Sequence, residues 1–216
     1  MRILRLIGVS ALMLALTAIT VSSASASLLP GTAGTKITGK SGKSTLQVKG
    51  GASITCKAST TSGEVKSTEE ALIIIWFTEC TTGGLPVNSV GDAVKTILTH
   101  VEAGWCFDPI KGFYVYFGIL PLKLEVPSVK GLTLEITGAV LGKVTPVEKK
   151  ATTFAVELKQ TGGKQEVGPE ECTKSSGTKV KGVQLKTSTN GGAAVQSGQE
   201  TAEGSLTFSA EEEFMS

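Results

Sequence analysis

The 216-residue chain holds one histidine, His100, and two aspartates, Asp92 and Asp108. A hydrolase triad needs an imidazole, an acid to orient it and a nucleophile. No Gly-x-Ser-x-Gly elbow accompanies His100, so it is expected to be a surface or half-buried strand residue. Cys-x-x-Cys is absent, and with a single histidine no zinc-binding set is expected. Aromatic residues make up only 5%, which poorly supplies a sugar cleft built on stacked rings. Paired carboxylates could cleave a glycoside, and Glu79, Glu102 and Asp108 are conceivable partners. Nothing in the sequence brings them together, and solvated strand edges and turns are the expected setting. Gly39-Lys40-Ser41-Gly42-Lys43-Ser44-Thr45 has the ending of a phosphate loop. Ile37 stands where that motif needs glycine, and Thr45-Leu46-Gln47-Val48 reads as strand rather than helix. No catalytic residue, metal or cofactor is therefore assigned.

Long apolar runs are scarce too. The longest stands at the start, where Met1-Arg2-Ile3-Leu4-Arg5 precedes the uncharged stretch Leu6–Thr20 and the small residues Ser22-Ser23-Ala24-Ser25-Ala26. This is the pattern of a secretory signal peptide, residues 1–26, cleaved after Ala26. The apolar run falls short of the ~18 residues of a membrane span, and no second run follows it, so no transmembrane segment is expected in the mature chain. Removing Arg2 and Arg5 from the 21 basic residues leaves the mature chain, Ser27–Ser216, balanced against its 19 acidic ones. A formally neutral domain has no electrostatic footprint for nucleic acid and no polybasic patch for anionic lipid.

Export gives the four cysteines their meaning. Cys56, Cys80, Cys106 and Cys172 read as two disulfides, with three pairings possible. Cys56–Cys80 with Cys106–Cys172 is the favoured set. Cys56 ends one strand pattern and Cys80 follows the next, and strands adjacent in sequence tend to be adjacent in space.

What the chain does have is alternation. Leu120, Leu122, Leu124 and Val126 alternate with polar residues or proline. So do Leu132, Leu134 and Ile136, then Phe154, Val156 and Leu158, then Val183 and Leu185, and finally Leu206 and Phe208. Period two marks half-buried strands. Clusters such as Gly83-Gly84-Leu85-Pro86, Gly162-Gly163 and Asn190-Gly191-Gly192 separate them. Short strands with regular turn signals predict an all-β fold: a single antiparallel β-sandwich over 27–216, or alternatively a closed β-barrel. Two runs, Ala71–Phe77 and Phe113–Phe117, are apolar at every position and are expected to be central strands covered on both faces. Glu69, Glu70 and Glu79 flank the first as charged gatekeepers. Val94–Val101 fits a helical spacing, but its β-branched content favours strand. The ends, Ser27–Gly34 and Glu211–Ser216, are expected to be loose.

Several segments carry a resemblance. Gly39–Cys56, Ile73-Ile74-Ile75-Trp76-Phe77-Thr78-Glu79-Cys80, Ser89-Val90-Gly91-Asp92-Ala93, Ile136–Pro146 and Gly162-Gly163-Lys164-Gln165-Glu166 resemble exported Gly/Thr-rich β-proteins of high-GC Gram-positive bacteria. The resemblance implies secretion and a β-fold, and it carries over no functional residue. The best binding signal is aromatic. Tyr114 and Tyr116 share one face of a strand, with Trp105 just before them, and such rings can stack on sugars or anchor an interface. Core packing competes with that role, since both faces of the strand are apolar. The expected function is a non-catalytic binding or cell-surface protein, secreted or held at the envelope, with an extracellular protein or glycan as partner. A polysaccharide hydrolase using paired carboxylates and a purely structural envelope component are the alternatives.

Overall fold

The structure is a computed structural model, and it describes residues 32–214 apart from 111, 167–170, 174–177 and 182. Residues 1–26, where a signal peptide is expected, lie outside the described residues. In chain order the strands begin with β1 (Lys36–Ser41), β2 (Ser44–Val48), β3 (Ser53–Cys56), β4 (Ala58–Val65) and β5 (Glu70–Thr78). Three short strands follow: β6 (Thr81–Thr82), β7 (Leu85–Pro86) and β8 (Asn88–Ser89). Then come the long strands β9 (Ile97–Asp108), β10 (Gly112–Glu125) and β11 (Thr133–Thr145). The series continues with β12 (Ala151–Glu157), β13 (Gln160–Thr161), β14 (Lys164–Gln165), β15 (Glu171–Thr173) and β16 (Lys179–Lys181). It ends with β17 (Leu185–Thr189), β18 (Val195–Thr201) and β19 (Ser205–Glu212). Every pairing is antiparallel.

The all-β reading holds, and the pairings close the sheet. Passing from strand to strand, the circuit runs β1, β4, β5, β9, β10, β11, β12, β19 and back to β1. This is an eight-stranded barrel, the closed arrangement that removes sheet edges. Alternation dictates its wall: Ile37, Ile73, Val101, Val115, Val140, Phe154 and Leu206 point inward and are buried, while their neighbours face out.

A second layer covers one end. The first half of β11 pairs with β17 (Leu134↔Thr189 to Gly138↔Leu185), and the sheet continues through β18 and β2 to β3. Past Gly138 the same strand instead pairs with β12. Gly138 permits the change: its φ is +97°, and a Cβ there would stand 2.3 Å from the Gln184 carbonyl oxygen. Cys56–Cys80 ties the end of this covering sheet to the segment leaving β5, as the strand order in sequence predicted. Cys106 is also disulfide-bonded. The side chain expected as its partner, Cys172, lies outside the described residues, although the backbone of β15 runs beside β9 with Thr173 opposite Phe107.

The other end is plugged by rings. Phe214 is 1% exposed and packs against Trp105 at 5.0 Å and Phe154 at 4.8 Å between ring centres. The expectation of a loose 211–216 is therefore corrected through Phe214. β19 extends to Glu212, and an apolar side chain that fills the barrel's mouth holds the segment after it.

Two further expectations change. The run Ala71–Phe77 is central in the sheet, between β4 and β9, but only one of its faces is covered. Ala71 and Ile73 point into the barrel; Leu72 is 45% exposed, and Ile74 and Trp76 are half-buried. A barrel wall has one inner face, and no described segment lies over β5 on the outside. Leu120 likewise turns outward, because a register shift between Ile119 and Leu122 breaks the alternation. By contrast, Phe113–Phe117 is apolar on both sides for the reason expected: Tyr114 faces outward beneath Val180 and Val183. The segment 94–101 becomes strand only from Ile97, with Val94 exposed in the turn before it.

Candidate functional site

Residues on the two faces of one wall cannot act together, and this divides the aromatic group. Val115 pairs with Trp105, and Tyr114 with Cys106. Trp105 is therefore inward, 2% exposed, in the ring cluster with Phe208 and Phe214. Tyr114 is outward and 4% exposed, covered by the β15–β16 hairpin, with Tyr116 half-buried beside it. Burial pushes both phenols above the ordinary tyrosine value, with Asp108 adding to the effect at Tyr114 and Glu102 at Tyr116. The three rings form no shared exposed strip.

The carboxylates are spread along the barrel. Glu102 and Asp108 lie on β9 six positions apart, ~20 Å at the strand rise. Glu79 sits near the opposite end of that strand, where the Cys80 amide bonds the Lys95 carbonyl, and it is paired with Lys57. These separations exceed the ~5–9.5 Å used by glycosidases. Gly39-Lys40-Ser41 ends strand β1 and Ser44–Val48 is strand β2. The two pair with other strands and not with each other, so Gly42-Lys43 is a bend that carries the chain from the barrel wall to the covering sheet. Among the described residues no group of three His, Cys, Asp or Glu side chains is placed to hold a metal ion, and no helix is long and apolar enough to cross a membrane.

His100 stands exposed on the outer face of β9, opposite Ile74. It lines a surface pocket with Ser89, Asp92, Leu120, Pro121 and Lys123. Serine, histidine and aspartate thus share a pocket, but the serine is already committed. Its Oγ accepts from the Leu98 amide at 2.8 Å and donates to the Leu98 carbonyl at 3.2 Å. That hydroxyl serves as a splint at a seam in the wall. β9 and β10 pair only as far as Val101↔Ile119. Beyond Pro121, which has no amide to donate, β10 pairs with β8 instead, Leu124 opposite Ser89.

Inside the wall, below the covering sheet, the barrel is not filled. About 110 Å³ is open to the centre of a water-sized sphere. A single water needs only ~10–15 Å³ on that measure. The walls come from both layers: Ile75, Phe117 and Val140 from the barrel, Leu46, Ile54 and Leu185 from the cover. Besides Lys40, Thr61, Gln199 and Ser205, two kinds of polar group enter this apolar lining. One is a set of hydroxyls that satisfy each other: Ser41 Oγ lies 2.7 Å from Ser59 Oγ and 3.3 Å from Ser44 Oγ, which lies 3.4 Å from Thr201 Oγ1. The other is Thr99, 3% exposed on the inner face of β9, whose Oγ1 has no hydrogen-bond partner. Thr99 and Leu122 also line the surface pocket at the seam, so they form the partition between outside and inside.

The sequence carried a signal for Thr99. It stands between Ile97 and Val101, in the inward phase of an apolar alternation, where a hydroxyl is out of place. The hydroxyl set carried none, because its members come from four strands. The chain matches no protein-family model, no curated protein and no solved structure.

Proposed function

We propose that the protein is a secreted, non-catalytic binding protein whose barrel interior takes one small, mainly apolar ligand. The observation that supports this is the open space between the barrel and its covering sheet. Eight-stranded barrels are just wide enough either to fill with side chains or to hold one small ligand, and here the filling is incomplete. Close packing is the rule for protein interiors, and a mainly apolar cavity of this order has room for a small aromatic molecule. The Cys56–Cys80 disulfide, which braces the cover, fits an extracellular setting, as does the signal-peptide pattern at residues 1–26.

Binding of toluene to the disulfide-intact protein tests the reading. Saturable one-to-one binding by calorimetry is expected, with a rise in melting temperature at saturating ligand, since a ligand bound only by the folded state stabilises it. Ile75→Trp, which fills the space from the barrel side, should abolish binding in a protein that still melts cooperatively. Absence of saturable binding to the unaltered protein would end the proposal.

A further inference from the structure

We infer that the ligand of this interior site is a neutral molecule with a hydrocarbon body and one hydrogen-bonding head, and that Thr99 Oγ1 holds the head. The inference rests on the reading of the barrel interior as a binding site and adds the ligand's chemistry to it. A buried hydroxyl with no partner costs free energy that evolution usually avoids by pairing it or replacing it with an apolar residue of the same shape. Valine would fit the wall at position 99 without leaving an unpaired hydroxyl. Ser41, Ser44, Ser59 and Thr201 are engaged with one another, Ser205 donates to the Lys40 carbonyl, and Thr61 and Gln199 are only half-buried, so Thr99 is the fully buried hydroxyl of the lining left to meet a ligand.

Its place sets the ligand's orientation. Thr99 belongs both to the inner wall and to the pocket at the seam, where β9 and β10 part around Pro121 and β8 bridges them. A head on Thr99 lies nearest the outside, and the body extends beneath Leu46, Ile54 and Leu185 of the cover.

The charge of the head follows from the lining. Lys40 is the one charged residue among the described residues of the wall, and it is exposed. It reaches the level of Leu98 only through Thr60 and Trp76, three strand spacings round the barrel, ~14 Å. A charged head on the inner side of Thr99 would lose its hydration, with Asp92, His100 and Lys123 on the outer side of the partition and no charged side chain but the distant Lys40 on the inner side, which is prohibitive in an apolar site. A hydroxyl, ether or carbonyl is matched, because a threonine hydroxyl both donates and accepts. The volume limits the body to about one aromatic ring or a short alkyl chain, by comparison with cavities of ~150 Å³ that take benzene.

Phenol and toluene match in shape and differ in hydroxyl against methyl, so together they isolate the head. Both are titrated calorimetrically into the unaltered protein, Thr99→Val and Thr99→Ser, with melting measured on each. Thr99→Val should fold at least as stably as the parent and bind toluene as well or better. It should bind phenol about three- to tenfold more weakly, the range of one hydrogen bond. Thr99→Ser should keep the phenol affinity. Toluene binding with phenol unaffected by Thr99→Val would overturn the assignment of the head and leave the interior site standing. Failure of both ligands to bind the unaltered protein would overturn the site itself, and this inference with it.

Discussion

Ile73 and Ile74 are neighbours in the chain and face opposite environments. Ile73 is 1% exposed inside the barrel, whereas Ile74 lies half-buried on the outer wall opposite His100. Ile73→Lys would bury an unpaired charge and is expected to prevent folding. Ile74→Lys can extend its ammonium into water and is expected to cost no more than ~1–2 kcal/mol, the ordinary range for a single change. Denaturant titration of the two variants checks this, and equal effects would mean the outer wall is covered after all. From sequence the run Ala71–Phe77 looked alike on both faces, because period two cannot tell which side of a strand has a layer over it. That depends on a distant segment, β15–β16, which settles over Tyr114 rather than over β5. The tyrosines give a second test. Tyr114 and Tyr116 are the only two in the chain, and burial holds both above the ordinary value. A raised folded value means that their contribution to stability is fully present below the unfolded value of ~10 and is lost as pH rises through the folded one. Tyrosinate absorbance should therefore appear at higher pH in the folded protein than in guanidinium, and superimposable titration curves would contradict their burial.

The covering sheet shows how two strong local constraints build a site. β11 serves the barrel with one half and the cover with the other, and Gly138 is the position where it changes partner. Gly138→Ala should cost on the order of 2–4 kcal/mol, through a disfavoured positive φ and a clash with the Gln184 carbonyl, read as a lowered denaturation midpoint. The same loss from alanine at the exposed Gly191, also at positive φ but with open space around it, would show that conformation alone and not the close approach sets the cost. Cys56–Cys80 holds the opposite edge of the cover. Its loop is worth about 3.5 kcal/mol in the chain-entropy treatment. In a Cys56→Ala, Cys80→Ala double variant, hydrogen exchange should quicken in β2, β3 and β18 first, while β9 and β10 keep their protection. Uniform quickening would mean that barrel and cover open as one unit. The sequence made this disulfide legible because its cysteines bracket consecutive strands. Alternation likewise marked Leu122, Leu124, Phe154 and Val156 as inward. It misplaced Leu120, since a bulge shifts the phase by one residue and only Pro121 hinted at it. The division of β11 between two sheets left no mark in the pattern beyond a glycine among many.

Closure is a property of the whole chain and the hardest feature to see locally. Sandwich and barrel use the same half-buried strands and the same turns, and they differ only in whether the first and last strands meet. Here they do: Ile37 of β1 stands opposite Phe208 of β19, and β19 also pairs with β12. Cavity and closure are linked, because a sandwich would press two inner faces together and leave no lumen, whereas a closed ring of eight strands has room for one where its side chains leave it unfilled. Thr99 was legible as a residue out of phase, but its meaning needed the lumen it faces. Loss of β19 should therefore be far worse than loss of a strand at a sheet edge. A chain ending at Gly204 would expose the hydrogen-bonding edges of both β1 and β12, and open edges pair with other chains. It should elute as aggregate on size exclusion and show no cooperative melting. Phe214→Ala separates this from the simple loss of the aromatic plug. That variant keeps β19, should remain a folded monomer, and should lose ~3–5 kcal/mol, as a buried phenylalanine typically does. A truncated chain that instead melted cooperatively as a monomer would show that the remaining strands form a stable open sandwich without β19, and that the lumen is not what the fold is built to enclose.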